Sequence, residues 1–399
     1  MPDGLPTLTP VPAPAGRTRT RGSARLRGQV VFMYAFDIAY DMRRSDLREL
    51  LGQPVGTFQM DASKRNPKQL FFYRPKTVRL PPAEKFTDRG LLRFEATVKI
   101  MPVGAISITI RVPFEVEELR ELVDFHDIRF KDGSTMADDA RQLGEQIRRE
   151  LLPHLINPVS HITDVEGYTV FCIDGPLQKI YGVDGEVTEE ANAQDIGAEQ
   201  WLHAHRRDIA AVLTQEPDAD QLSAQEAEES SGKYFSYYFD DLVVIDWDAA
   251  MIVDDPREFD ETLYIMELAN VQLAELEAYD KLLDDAVDAA YRDIKRRTKW
   301  ADRSRVQREL RELRVDSARI SDELGNITKF FGDWHLARLY RGMADRFHLD
   351  DWHRSLRAKL AAIDEIYQLL HADSNHRLMV SLEVAIVVLF VIEVVKGFW

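Results

Sequence analysis

The sequence predicts an α+β fold: a mixed N-terminal α+β domain, then long antiparallel or coiled-coil helices, and one C-terminal transmembrane helix. Three observations predict it. Strand and helix signals mix over residues 29–255, the apolar spacing becomes helical from residue 256, and an apolar run occupies residues 378–395. The expected parts are a basic arm at 1–28, an α+β domain at 29–255, a helical hairpin or coiled-coil region at 256–375 and an anchor at 376–399.

The composition is that of a globular protein with an acidic balance. Of 399 residues, 45% are apolar and 30% are charged, and 51 Lys and Arg against 68 Asp and Glu give a net charge of −17. A field of this sign repels phosphate backbones, so bulk nucleic-acid binding is not expected unless a local basic patch overrides it. The single cysteine, Cys172, excludes an intramolecular disulfide framework and a zinc site built mainly from cysteines.

The arm at 1–28 has five prolines followed by five arginines, and Asp3 is its one acid. No apolar h-region of a signal peptide follows the arginines, so the arm does not have the pattern of a secretory signal peptide. Three interpretations remain open: a solvated tail, an organelle-targeting segment, or a basic arm that contacts anionic lipid or RNA.

Within the α+β domain, alternating apolar residues predict strands and 3.6-residue spacing predicts helices. The clearest feature is a hairpin formed by 93–100 and 105–112. The other predicted elements are a strand at 29–35, a helix at 45–51, a helix at 135–152, a strand at 166–173, a helix at 199–213, an acidic linker at 216–232 and two or three strands within 234–253.

Three apolar series with spacings of three or four residues follow, over 266–290, 306–334 and 349–370. The middle series has Ser317 as its one polar member and resembles a coiled-coil seam. Such seams must be buried. An antiparallel hairpin within the chain and a coiled coil between chains both satisfy that need, and the second would make the protein a homo-oligomer.

The apolar run at 378–395 spans about 27 Å as a helix, close to the roughly 30 Å hydrocarbon core of a bilayer. It predicts a single-pass integral membrane protein, partnered by the lipid bilayer, with its bulk facing the cytoplasm, or the matrix if the protein is organellar. The alternative is a buried core helix. The predicted anchor residues are Arg377, Leu378, Glu383, Ile386, Leu389, Ile392, Glu393, Lys396 and Trp399.

Glu383 lies within this apolar run, and a carboxylate there is costly to bury. One interpretation is that it is satisfied against a second copy of the chain, which makes the anchor an oligomerisation element. The other is a protonated or snorkelling side chain in a monomeric anchor.

Motif searches assign no catalytic, cofactor or metal residue, because the chain has no phosphate loop, dinucleotide motif, HExxH or GxSxG. One weaker constellation could bind a hard cation, since Asp246 and Asp248 would share one face of a strand. Its members are Asp240, Asp241, Asp246, Asp248, Asp254 and Asp255. His203 and His205 cannot share one helical face, and Cys172 is interpreted as a core residue.

The C-terminal part resembles a known family on two stretches, ETLYIMELANVQLAELEAYDKLLD at 261–284 and NHRLMVSLEVAIVVLFVIEVV at 375–395. Both are similar to the meiotic-nuclear-division (Rmd-type) family, and Arg377, Glu383 and Glu393 match its basic residue before an apolar run that contains Glu. That family combines an α+β region, long helices and one C-terminal span, and it includes a mitochondrial inner-membrane protein that supports mitochondrial translation. The resemblance implies a ribosome or translation partner.

Two hypotheses of function follow. The first is a membrane-anchored, non-enzymatic scaffold or tether, linked through the resemblance to membrane-associated, organellar-type translation. The second is a metal-dependent hydrolase or nucleotide-processing enzyme that uses the carboxylates between Asp240 and Asp255.

Overall fold

The computed structural model describes residues 25–43, 47–58, 75–101, 103–159, 162, 165–175, 197–296 and 334–397. Most of the predicted basic arm and nearly all of the middle helical series lie outside these residues. The chain divides into two compact units. Unit 1 consists of Met1–Glu275 and Leu324–Leu349, and unit 2 of Leu276–Glu323 and Asp350–Trp399.

Unit 1 contains a mixed sheet of ten strands. Nine of them have the order β12-β13-β14-β11-β1-β9-β8-β6-β5, and the tenth, β7, pairs with β8 outside this order. Of its strand pairs, β11 with β14 is parallel and the others are antiparallel. The strands are β1 (Leu26–Asp37), β2 (Ala39–Met42), β3 (Glu49–Leu50), β4 (Gln53–Pro54), β5 (Gly56–Thr57), β6 (Lys76–Arg79), β7 (Ala83–Thr87), β8 (Gly90–Ile100), β9 (Ala105–Val116), β10 (Leu155–Pro158), β11 (Glu166–Asp174), β12 (Tyr234–Phe235), β13 (Leu242–Ile245) and β14 (Ala249–Asp254).

The helices of the described residues are of very different lengths. They are α1 (Met136–Leu151), α2 (Ala198–Ala204), α3 (Arg206–Leu213), α4 (Ala224–Ser231), α5 (Phe259–Arg296), α6 (Trp334–Arg346) and α7 (Leu349–Gly397), with short 3-10 helices that include Leu119–Phe125 and Ala219–Gln221.

The predicted β8–β9 hairpin is confirmed, and it pairs in register from Glu95 opposite Arg111 to Ile100 opposite Ile106. Its turn includes Gly104 with φ +98°. A Cβ there would lie 1.9 Å from the carbonyl oxygen of Ala39, so a glycine is required for the close approach of the two backbones.

One face of the sheet is apolar and carries the largest core. Alternate residues of β1 and β9, among them Phe32, Phe36 and Ile108, are buried there together with Trp201 of α2 and Ile209 of α3. The period of two along each strand places these side chains on one face.

The opposite face carries a buried polar layer under the first half of α5. Lys99 of β8 forms an ion pair with Glu267, which also accepts a hydrogen bond of 3.2 Å from Oγ1 of Thr109. The Lys99 ammonium lies 4.6 Å from the ring centre of Phe58 and 5.2 Å from that of Tyr264. A buried carboxylate is tolerated because it is paired and hydrogen-bonded.

The predicted helix at 135–152 is confirmed as α1, and its start has a local cause. Thr135 and Asp138 form a capping box, in which Oγ1 of Thr135 accepts from the Asp138 N–H at 3.2 Å and Asp138 accepts from the Thr135 N–H at 3.0 Å. Two otherwise unsatisfied N–H groups are thereby paired.

The structure differs from the sequence-based expectation in two short segments. At 45–51 a helix is predicted, but β3 and β4 form a tight hairpin because Leu51 and Gly52 both have positive φ, 54° and 68°, as a two-residue hairpin turn requires. At 216–232 a linker is predicted, but Ser223 caps α4 by accepting from the Glu226 N–H at 3.0 Å.

Within unit 2, the later part of α5 contacts α7. Lys359 of α7 forms ion pairs of 2.7 Å with Asp280 and 2.6 Å with Asp284 of α5. Leu283, Leu356 and other apolar residues of these helices are buried. The first and third helical series predicted from the sequence therefore pack against each other within the chain.

The predicted transmembrane helix over 376–399 is wrong, and so is the integral, single-pass localisation inferred from it. Among the helices that the structure describes, none is long and apolar enough to cross a membrane. Glu383 and Glu393 interrupt the apolar part of α7, and residues 384–392 between them span about 13 Å at 1.5 Å per residue, against the roughly 30 Å of a hydrocarbon core.

The predicted anchor residues are part of this correction. Trp399 and the side chains of Arg377 and Leu378 lie outside the described residues. The others lie on α7 with exposed side chains, namely Glu383, Ile386, Leu389, Ile392, Glu393 and Lys396.

Candidate protein-interaction site

The aspartates that the sequence suggested as cation ligands do not form one cluster. Asp246 and Asp248 lie in the turn that joins β13 to β14, and not on one face of a strand, because the Asp246 N–H donates to the Ala249 carbonyl at 2.9 Å and closes the turn. Oδ1 of Asp246 is 2.6 Å from Nη2 of Arg346. Burial, and secondly the charge of Asp246, raise the pKa of Asp248.

Three of the remaining aspartates of this group bind nearby protein groups, and the fourth is exposed to solvent. Asp254 accepts from the Asp255 N–H at 2.8 Å, and Asp255 forms an ion pair of 2.6 Å with Arg257. Asp241 accepts from two backbone N–H groups described below, and Asp240 is exposed. Across the described residues, no group of three or more His, Cys, Asp and Glu side chains could hold a metal ion.

The structure also shows where His203, His205 and Cys172 lie, and it gives none of them the environment of a catalytic residue. His205 lies at the break between α2 and α3, where its Nδ1 is 3.0 Å from the Trp201 carbonyl oxygen. His203 is exposed on α2. Cys172 is fully buried in β11, which confirms it as a core residue, and burial raises the pKa of its thiol. A thiol of this kind is not an activated nucleophile.

The aromatic loop, residues 236–241 between β12 and β13, exposes three consecutive aromatic side chains on the surface of unit 1. Its Tyr237, Tyr238 and Phe239 are 55%, 45% and 59% exposed. Three consecutive large aromatic side chains in water are unfavourable for an isolated domain, because each exposes apolar surface that the fold could have buried.

Asp241 fixes the shape of this loop. Its Oδ1 accepts from the Tyr237 N–H at 2.6 Å and its Oδ2 from the Tyr238 N–H at 3.0 Å. The Ser236 hydroxyl donates to the Tyr238 carbonyl at 2.6 Å. Charge-assisted bonds to a carboxylate that is 8% exposed are strong, so the loop is held in one conformation.

The ends of the loop are tied to neighbouring helices of unit 1. The Ala198 N–H, at the start of α2, donates to the Phe239 carbonyl at 2.9 Å. The Tyr237 ring packs edge-on against His335 of α6, with 5.4 Å between ring centres. Next to His335, Trp334 is 70% exposed, so we include it with the aromatic loop in one aromatic patch.

Helix α6 is itself fixed to the sheet. Arg346 near its end binds Asp246 at 2.6 Å and Glu229 at 3.0 Å, and Lys233 binds Asp345 at 2.8 Å. These bonds tie α6, which carries His335 and Trp334, to the β13–β14 turn and to the end of α4.

Such an arrangement suits recognition of another macromolecule. Tyr, Trp and Phe are enriched at the centres of protein interfaces, where they supply contact area with few rotatable bonds. Because hydrogen bonds already order this loop, binding would cost little conformational entropy.

Comparison with known proteins places unit 1 in a family. Residues 27–260 match the family model described as the N-terminal domain of uncharacterized protein MJ0711. The match covers more than half of the chain and includes the aromatic loop. The chain belongs to the MJ0711 N-terminal domain family.

A relative of this MJ0711-family chain is uncharacterized protein MJ0711 of Methanocaldococcus jannaschii, which is 25% identical over 159 residues. The aligned part is 40% of this chain and 49% of the relative, so the chain matches about half of that protein's length. No solved structure matches the chain. Within the aromatic patch, the loop lies inside the MJ0711 domain and Trp334 lies beyond it.

Sequence reasoning did not identify this site, because the letters YFSYYFDD indicated strands with Asp-rich turns. A usable signal was present: Ser236 and Asp241 bracket three aromatic residues, and Ser and Asp are the residue types whose side chains bind nearby backbone groups in turns.

Proposed function

We propose that the chain is a non-enzymatic scaffold that binds a protein partner through the aromatic patch. The observation that supports this most strongly is the exposure of Tyr237, Tyr238 and Phe239 in a loop that Asp241 holds rigid. A catalytic role would leave these costly exposed rings unexplained, whereas burial in a complex accounts for them.

The acidic charge of this chain indicates which kind of protein surface the partner presents. Asp240 in the loop is exposed and Glu199 of α2, whose side chain is 62% exposed, lies next to Tyr234. The chain as a whole carries −17. We therefore propose a partner with a basic protein surface, because complementary potentials speed association and disfavour wrong partners. The Rmd-type resemblance adds a translation-associated or ribosomal partner to this proposal.

A photo-crosslinking amino acid at Tyr238 tests the proposal, with Phe86 as the matched control position because it is also an exposed aromatic residue of unit 1, 61% exposed. We expect a partner to crosslink from position 238 and not from 86, through a segment rich in Lys and Arg. Equal crosslinking from both positions, or crosslinking to an acidic protein or to nucleic acid, would contradict the proposal.

Affinity for the crosslinked partner gives a quantitative test. Tyr237→Ser with Phe239→Ser should weaken binding by about 30-fold or more, as expected for aromatic hot spots, and Phe86→Ser should change it little. Added salt should weaken the complex further, because the charge complementarity is screened.

The scaffold proposal includes self-association through unit 2. Along α7, apolar side chains from Met379 to Val394 are exposed, for example Leu389 at 64% and Phe390 at 68%. Contact with a second copy would remove this surface from water. Sedimentation of the full chain should show a dimer or larger species that dissociates in Leu389→Ser with Phe390→Ser and persists in the control Leu282→Ser. A monomer in the unmodified chain would contradict self-association.

A further inference from the structure

The basic arm joins the sheet of unit 1 at the same end as the aromatic loop. Gly28 of β1 pairs with Ile173 of β11, and Ile173 pairs with Val253 of β14. Val253 in turn pairs with Leu242 of β13. The four residues therefore form one row across the sheet. The arm precedes β1 and the aromatic loop precedes β13, so the two segments join this row from the same side.

The distance between the two points of entry is short. Strands β1 and β13 are three strand spacings apart, which is about 14 Å at about 4.8 Å per spacing. An extended chain advances about 3.3 Å per residue, so about five residues cover this distance. The arm has 24 residues before Arg25, the first residue that the structure describes. Residues 10–21 are therefore within reach of the aromatic loop.

The first half of residues 10–21 has a composition that suits exposed aromatic rings. It reads PVPAP, with prolines at 10, 12 and 14. Proline-rich segments bind aromatic-lined surfaces in many complexes, because the fixed φ of proline leaves little conformational entropy to lose on binding.

The second half is basic, with arginines at 17, 19 and 21. A guanidinium group stacks favourably on an aromatic face. Unit 1 already contains one such contact beside the loop, since the guanidinium carbon of Arg338 lies 5.6 Å from the ring centre of Phe235.

Carboxylates lie between the start of β1 and the aromatic loop. Asp174 and Asp254 stand opposite each other at the ends of β11 and β14, one residue beyond the row. Asp240 is exposed in the loop itself. Three acidic side chains thus follow the line that joins the two points of entry, and their charge is complementary to that of the three arginines.

The arginines at the start of β1 do not cancel this acidic charge, because β9 supplies them with carboxylates. Arg27 lies 3.3 Å from Glu115, and Arg25 lies 3.3 Å from Glu115 and 3.9 Å from Glu117. Two arginines and two glutamates together carry no net charge.

We propose that residues 10–21 of the arm dock on the aromatic patch of the same chain. The prolines cover the exposed rings of Tyr238 and Trp334, and the arginines lie beside Asp240. Docking removes from water apolar surface that is costly to expose. One consequence rests on the proposed function: the basic partner must displace the arm, which is then an autoinhibitory segment.

A photo-crosslinking amino acid at Tyr238 of the purified full chain, with no partner present, tests the docking. We expect mass spectrometry to find links to peptides from residues 10–21. Phe86 on β7 is the matched control position, because β7 is also three strands from β1 and Phe86 is 61% exposed. Nζ of Lys131 lies 5.8 Å from the Phe86 ring centre, so a basic segment is not attracted there and no link is expected.

Charge reversal tests the role of the arginines. Arg19→Glu with Arg21→Glu should lower the yield of links from position 238 about tenfold, because like charges then face each other. The control is Arg129→Glu with Arg149→Glu, two side chains that are each 70% exposed, and it should change the yield little. Mixing unlabelled chains with chains labelled with ¹⁵N shows whether each link joins residues of one chain.

Three results would overturn the docking. They are the absence of links between position 238 and residues 10–21, equal links from positions 238 and 86, and links that mainly join a labelled to an unlabelled chain. The last result would place the arm on a second copy.

The autoinhibitory role has its own measurement. A partner captured through Tyr238 should bind Arg19→Glu with Arg21→Glu about tenfold more tightly than the unmodified chain, since it no longer competes with the arm. Unchanged affinity would overturn the competition. Failure to capture any partner would contradict the scaffold function, whereas docking of the arm would still be decided by the links within the purified chain.

Discussion

Arg346 and Asp246 form an ion pair of 2.6 Å that joins the end of α6 to the turn between β13 and β14. The side chains are only 18% and 11% exposed. The same Arg346 donates to the Glu229 carboxylate at 3.0 Å and to the Glu229 carbonyl at 2.9 Å. An aspartate that the sequence suggested as a metal ligand therefore holds a helix in place.

Replacing Asp246 should destabilise the fold. We expect Asp246→Asn to lower the free energy of unfolding by about 1–3 kcal/mol, because it leaves a largely buried guanidinium with one carboxylate partner. Urea unfolding measures this. Asp240→Asn is the control, since Asp240 is exposed and its replacement should stay within about 0.5 kcal/mol. Equal effects of the two variants would mean that the ion pair contributes nothing.

Asp241 should control the order of the aromatic loop. Asp241→Ala removes the acceptors for the Tyr237 and Tyr238 N–H groups, so we expect these two amides to exchange hydrogen faster and stability to fall by about 2–3 kcal/mol. Hydrogen exchange followed by mass spectrometry measures the first effect. Asp240→Ala should leave exchange unchanged. Unchanged exchange in Asp241→Ala as well would show that other contacts order the loop.

Gly342 permits the close packing of α6 on β12. A Cβ at this position would lie 2.4 Å from Cζ and 2.6 Å from Cε2 of Phe235. Gly342→Ala should therefore cost about 1–3 kcal/mol, as overpacking does. Gly56→Ala is a milder comparison, because its Cβ would meet nothing closer than 3.8 Å, the Thr77 carbonyl oxygen.

A double-mutant cycle separates this clash from an effect on the helix itself. If the clash is the cause, Phe235→Leu should cost less in the Gly342→Ala background than in the unmodified chain. Additive costs of the two changes would place the effect of Gly342→Ala outside this contact.

Asp37 should make stability depend on pH. Burial raises the pKa of its carboxyl to about 7, against a backbone hydrogen bond from Ala39 that lowers it. An acid with a raised pKa in the fold favours folding fully below its unfolded pKa of about 4, and that contribution is lost as the pH rises toward 7. Asp37→Asn should thus gain stability relative to the unmodified chain by about 1–3 kcal/mol at pH 8.

Thermal unfolding of both chains from pH 4 to pH 8 measures this difference. The gap between them should widen over that interval and be nearly constant above pH 8. Asp88→Asn is a surface control, because Asp88 lies at the exposed β7–β8 turn. A gap that does not change with pH would show that Asp37 is ionised in the fold throughout the range.

Several elements could be predicted because their causes are local. The alternation in β8 and β9 and the capping box of Thr135 and Asp138 act over a few residues, so the hairpin and α1 could be predicted from the sequence. The helix predicted at 45–51 failed because Leu51 adopts a positive φ, which no residue preference of leucine would suggest. The transmembrane helix predicted over 376–399 was wrong, since none of the described helices is long and apolar enough to cross a membrane.

What the sequence by itself determined is therefore the local part: the period of the strands, the cap of α1 and the acidic balance. Only the tertiary structure decided which polar groups meet, since Asp246 finds Arg346 a hundred residues further along the chain and Asp241 turns back on its own loop. The exposure of Tyr237 depends on how helices pack around the sheet. Burial and long-range pairing are properties of the whole packed chain, so local patterns do not contain them.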